Sequence, residues 1–177
     1  MARVIKAPNV FPLLHLLVSE AVHDLAGSVH EVEFLQPISA DWIPVRSILT
    51  KGSMRVEFPG TDLPSGESSA PGPVQPFGPR FHGHTRIKST MLTDNVEVQC
   101  VAPQPGYKIL FRELDLEQGA VLDIEKGVLV FIFGDNYTVK GQSYSSFEMF
   151  AVQYNDVTIN ALSSCHLVIF NSVLKEV

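Results

Sequence analysis

His82-Gly83-His84 is the one His-x-His in the chain. On a strand, residues two apart point to the same face, where neighbouring imidazoles can grip one transition metal such as iron, zinc or manganese. Two imidazoles leave coordination unfilled, so a centre here needs His166, Glu97 or a neighbouring subunit to complete it. The alternative is a polar turn just after a proline-rich stretch. Glu113, Asp115, Glu117, Asp123 and Glu125 form a second group of interest, because paired carboxylates can carry general acid–base work. Strand alternation puts Glu113, Asp115 and Glu117 on one face, opposite Leu114 and Leu116, and a solvated outer face accounts for that pattern. Cys100 and Cys165 stand far apart with no CxxC, which suits reduced, buried thiols in a reducing compartment better than a disulfide framework or zinc knuckle. His15, His23 and His30 lie seven or eight apart and read as solvated histidines. No G-x-S-x-G elbow, phosphate-binding glycine loop or H-E-x-x-H occurs.

Composition narrows the classes further. Thirteen Lys+Arg against nineteen Asp+Glu give a formal charge of -6 over 177 residues, the opposite of the basic stripe that neutralises nucleic-acid phosphates. No apolar run approaches the ~20 residues of a membrane-spanning helix. The opening residues Met1 to Lys6 lead into no long apolar stretch with a small-residue cleavage site, so no secretory signal is expected. The sequon Asn136-Tyr137-Thr138 is then a chance match. A hydrophobic fraction of 45% is enough to bury a sizeable core.

Three stretches must position these residues. From Asn9 to Gly27, Val10, Leu14, Leu17, Ala21 and Leu25 recur at three- and four-residue steps, which predicts a helix capped by Asn9, with Pro12 in its first turn and Gly27 at its stop. Strand signals follow from Val29 to Gln36, Ile43 to Leu49 and Ser53 to Phe58, the last two joined by a hairpin-like Thr50-Lys51-Gly52. Pro59 to Pro79 then holds six prolines and four glycines in 21 positions, a composition that neither a helix nor a central strand sustains. It reads as a long loop held against some other surface. Beyond it strand signals recur at roughly 8–12 residue spacing, as in a β-sandwich or barrel: Asn95–Ala102, Tyr107–Leu116, Val121–Ile124, Val128–Phe133, Tyr137–Lys140, Phe147–Val152, Val157–Leu162 and His166–Phe170. No internal repeat stands out.

The runs Leu116–Leu122, Val128–Gly134, Tyr137–Gln142, Asn155–Ala161 and His166–Phe170 carry a rhythm of Gly-led turn, apolar strand ending in Gly, short return strand and final hydrophobic strand. Over residues 114–170 this resembles the second half of a cupin jelly roll (RmlC-like). Metal-binding cupins hold their ion with two histidines one residue apart, a following glutamate and a later histidine. Aligning the leading glycine with Gly119 puts Glu125, Gly127 and Phe131 at the first ligand positions. Starting the second motif at Gly141 puts Phe147 and Met149 on its Pro and Gly, and Val152 at the later histidine. The resemblance thus implies the fold without the family's ligand set. Around His82 and His84, Gly78 precedes, but Lys88 and Ser89 stand where the glutamate is expected.

The expectation is therefore a mainly β chain: an antiparallel β-sandwich or cupin-like jelly roll with one N-terminal helix and a long Pro/Gly-rich loop. Residues 1–58 would hold the helix and first strands, 59–79 the loop and 80–177 the jelly roll, forming one compact unit. The functional expectation is a non-enzymatic structural or assembly component acting through homo-oligomer or larger protein interfaces, without nucleic acid, membrane or cofactor. By analogy of fold this extends to a virion component or capsid decoration, in the cytoplasm or in a particle assembled there. The alternative is a metal-dependent cupin enzyme or small-ligand binder, with a transition metal (Fe, Zn or Mn) on His82 and His84. A third reading is an adaptor whose acidic surface engages a basic partner.

Overall fold

The computed structural model describes residues 3–5, 9–34, 46–75 and 85–174. The chain divides into two compact units, one from residues 1–10 and 17–103, the other from residues 11–16 and 104–177. The division thus falls between Pro103 and Gln104, and the Pro/Gly-rich stretch lies inside the first unit.

The first unit is built from β1 (Arg3–Ile5), β2 (Asn9–Phe11), β3 (Leu16–His23), β4 (Val29–Phe34), β5 (Arg46–Lys51), β6 (Met54–Glu57), β7 (Gly66–Ser68), β8 (Gly72–Pro73), β9 (Thr85–Met91) and β10 (Val96–Pro103). They form one sheet in the order β1-β3-β10-β5-β8, with β2 beside β3, and a second in the order β4-β9-β6-β7. Leu49, Met54, Val56, Phe58, Val74, Met91, Val96 and Val98 form a buried cluster drawing on both sheets. Because β5 and β6 belong to different sheets, the turn at Lys51–Ser53 is a corner of the sandwich and not the end of a hairpin.

The expected N-terminal helix is absent. Pro12–Leu14 form a single 3-10 turn closed by His15 in the left-handed region (φ 53), and Leu16–His23 is a strand pairing antiparallel with β1 in the register Arg3↔His23 to Ile5↔Ala21. The segment is so densely apolar that it satisfies the helical and the two-residue period together. Burial follows the second: Leu16 and Val18 are buried, then Ala21 and His23. Neighbouring strands supply the hydrogen bonds, and sheet pairing overrides the local helical pattern.

The first part of the Pro/Gly-rich stretch supplies two strands. β7 pairs with β6 (Met54↔Ser68, Val56↔Gly66) and β8 with β5 (Ile48↔Pro73, Leu49↔Gly72). Both end their sheets, where a proline lacking its N–H breaks no ladder. Val74 N–H donates to the Ser47 carbonyl, Gln75 N–H to Ser68 Oγ, and Val74 is buried.

The second unit holds β11 (Tyr107–Leu116), β12 (Val121–Ile124), β13 (Val128–Phe133), β14 (Tyr137–Val139), β15 (Gln142–Tyr144), β16 (Glu148–Val152), β17 (Val157–Ala161) and β18 (Cys165–Leu174). Its two four-stranded sheets run β11-β18-β13-β16 and β12-β17-β14-β15, the jelly-roll order. Adding eight to each strand number of β3-β10-β5-β8 and β4-β9-β6-β7 yields the same order. The two units therefore share one topology although their sequences show no repeat. Between the second unit's sheets lie Ile124, Val130, Ile132, Tyr137, Val139, Ile159, Leu167 and Ile169, all buried.

Candidate functional site

The second unit's jelly roll is filled with apolar side chains except at one mouth. β14 and β15 form a hairpin with Val139 opposite Gln142, and its two loop residues, Lys140 and Gly141, both have positive φ (52 and 78). This is the mirror-image turn that suits the strand twist. β15 ends one sheet and β16 the other. Where these edges part, a cavity of about 190 Å³ opens, lined by Val139, Lys140, Gln142, Tyr144, Phe150, Ala151, Val152 and Val157. Val139, Val152 and Val157 are buried beneath it, while Lys140 and Gln142 are exposed at its rim. Phe150 meets Tyr144 edge to face, ring centres 5.2 Å apart. Tyr144 stacks in turn on Tyr137 at 5.7 Å.

Tyr137 fixes that wall. It is fully buried, and its hydroxyl donates to the Ser146 carbonyl at 2.7 Å. Burial, then the negative charge of Glu148, pushes the phenol well above its ordinary value, so it remains a neutral donor. Lys140 is the one charged side chain of the lining. An apolar floor, aromatic walls and a rim bearing one ammonium and one amide can bind a small molecule but offer no nucleophile–base pair.

The acidic group sits elsewhere. Leu116 is buried and Leu114 packs against the core, leaving Glu113, Asp115 and Glu117 exposed as alternation predicts. His166 on β18 lies across from Asp115. Its Nδ1 is 2.6 Å from Asp115 Oδ1 and its Nε2 3.5 Å from Glu113 Oε2. The carboxylates address opposite ring nitrogens, so they cannot converge with the imidazole on one metal ion. Glu97, the other suggested completing ligand, lies on β10 of the first unit opposite Lys51.

His82 and His84 lie outside the described residues. His23 and His30, read from sequence as solvated, are not both so: His23 is 5% exposed, and its ring meets that of His30 edge-on at 4.5 Å. Cys100 and Cys165 are free thiols, Cys165 buried in the second unit's core.

The resident metal of many cupins does not fit the described residues. In the second unit the inward positions of β12, β13 and β17 are Ile124, Val130, Ile132, Val157 and Ile159, all buried and apolar. Glu125 is exposed, while Phe131 and Val152 are buried. Among the described residues no three His, Cys, Asp or Glu side chains converge as a metal site. Nor is any described helix long and apolar enough to cross a membrane.

Sequence reasoning missed Lys140, Gln142, Tyr144 and Phe150. Lys140-Gly141 was visible as a turn, but the cavity exists only because four strand segments meet around it.

No protein-family model and no curated protein matches the chain. Solved structures do. One is a cupin 2 conserved barrel domain protein from Leptotrichia buccalis, with 11% identity and a TM-score of 0.54 over 98% of this chain and 89% of that one. HutD from Pseudomonas fluorescens SBW25 aligns with 10% identity and a TM-score of 0.52, again over 98% and 89%. A conserved protein of unknown function from Pseudomonas aeruginosa PAO1 gives 14% identity and 0.50 over 99% and 90%. The expectations of a virion, capsid-decoration or oligomeric role find no support in these likenesses. Together with the jelly-roll strand order, they identify the fold of this chain as that of the cupin superfamily.

Proposed function

We propose that the chain is a non-enzymatic, cupin-type binding protein that takes a small, largely apolar molecule into the mouth of its second jelly roll. The observation that carries this reading is the cavity of about 190 Å³ in a unit whose interior is otherwise closely packed. A cavity near 150 Å³ with apolar walls accommodates a benzene-sized molecule, and a concave, mainly apolar lining with a few polar groups is the usual form of a small-molecule site. The competing reading, assembly through oligomer interfaces, rested on an apolar helix and on a loop needing a partner. The first is a strand within a sheet, and the second supplies β7 and β8 to its own unit.

Titration of the 15N-labelled protein with benzyl alcohol tests the reading. Shift changes should centre on residues 139–157 and saturate, and Phe150→Trp, which fills the space, should abolish them while the rest of the spectrum stays folded. Changes spread over the surface, or undiminished in a folded Phe150→Trp protein, would sink it.

A further inference from the structure

We infer that the ligand of this cavity is an anion, a small carboxylate whose apolar body enters between Tyr144 and Phe150 and whose charged end stays at the rim against Lys140. The inference rests on the binding reading above and adds the chemical class. Three observations carry it. The cavity's depth is apolar, formed by buried Val139, Val152 and Val157, so a charged group cannot be carried to the bottom without an uncompensated desolvation cost. The only charged side chain in the lining is the Lys140 ammonium, so the favoured charge at the mouth is negative. Gln142, the residue paired across the turn with Val139, also lines the rim and brings an amide donor. A cation or a zwitterion would place its ammonium against Lys140. A neutral molecule would leave the rim donors to water.

The position of the charge sharpens the point. Lys140 occupies the first loop position of a two-residue hairpin with φ 52, where Asn, Asp and Gly are the residues of choice. Lys140→Asn is therefore a variant that suits the turn and removes the ammonium.

The experiment compares benzoate with benzyl alcohol, of similar size and differing in charge, by chemical-shift titration of the wild type, Lys140→Asn and Phe150→Trp. The wild type should bind benzoate about five- to tenfold more tightly than the alcohol, as for one partly solvated charge-assisted contact. Lys140→Asn should bring the two affinities together without weakening the alcohol. Raising the salt from roughly 20 mM to roughly 500 mM should erode the preference in the wild type only. Equal affinities in the wild type, or a benzoate preference that survives in Lys140→Asn, overturn the anion assignment and leave the cavity reading standing. Absence of saturable binding by either probe overturns both.

Discussion

Gly134 and Cys165 sit so close that a Cβ on Gly134 would lie 2.6 Å from Cys165 Sγ and 3.3 Å from its Cβ. The contact joins the residue just after β13 to the first residue of β18, in a core where Cys165 is 4% exposed. The glycine that ends the apolar strand of the cupin-like rhythm thus has a packing reason to be there. Gly134→Ala should destabilise the protein by about 1–3 kcal/mol in urea unfolding, the usual cost of overpacking a filled interior. Adding Cys165→Ala removes the obstructing sulfur and should recover part of that loss. A double variant no better than the sum of its singles would show that the clash is not the cause.

The Lys140-Gly141 turn makes the opposite prediction for stability. A lysine at φ 52 is held where its Cβ is disfavoured, and asparagine tolerates that region. Lys140→Asn should therefore be neutral or raise stability by up to about 1 kcal/mol, whereas Gly141→Ala, at φ 78, should cost about 1 kcal/mol or more. Thermal melts of the two variants check both signs. A Lys140→Asn protein less stable than the wild type would mean that the lysine side chain has a structural contact outweighing its backbone cost.

The second unit was the legible part of the sequence. Tyr107–Leu116, Val121–Ile124 and Val128–Phe133 were expected with the observed ends, because Gln118-Gly119 and Glu125-Lys126-Gly127 mark the turns and the two-residue period is clean between them. The first unit was harder. Val10, Leu14, Leu17, Ala21 and Leu25 fit a helical spacing, and nothing local says that β1 and β10 will flank the segment. The kinship of the two units was invisible as well. A jelly roll asks only for inward apolar residues on eight strands, so two sequences can meet that demand without sharing a residue pattern. Lys140, Tyr144 and Phe150 had no signal as a site because only the parting of β15 and β16 brings them around one space.

The Pro/Gly-rich stretch offers a test of what holds it. Ser68 is 6% exposed, and its hydroxyl accepts the Gln75 N–H at 2.8 Å, tying β7 to the residues just after β8. Ser68→Ala leaves that buried donor without its partner and should cost about 1–3 kcal/mol. Opening is local, so the sharper readout is limited proteolysis: cleavage between residues 60 and 75 should quicken severalfold while the second unit stays resistant. Unchanged cleavage would mean that the strand pairings of β7 and β8 suffice without the serine.

Two buried acids set the alkaline limit of the second unit. Burial, and after it the charge of Asp135, raises the Cys165 thiol above its ordinary 9.0. Burial, and after it Glu148, raises the Tyr137 phenol above its ordinary 10.0. In both cases the folded protein keeps a proton that the unfolded chain has already released, so the unfolded state binds fewer protons and stability falls as pH rises. The contribution is complete below about pH 9 and is lost in two stages, the first as pH passes 9.0 and the second as it passes 10.0, each at up to about 1.4 kcal/mol per pH unit. Urea midpoints between pH 7 and 11 measure this. Cys165→Ala should remove the first stage. Tyr137→Phe should lower stability at neutral pH by about 0.5–1.5 kcal/mol through the lost hydrogen bond to Ser146, yet flatten the second stage. A Tyr137→Phe protein with the same alkaline slope as the wild type would place the titrating group elsewhere.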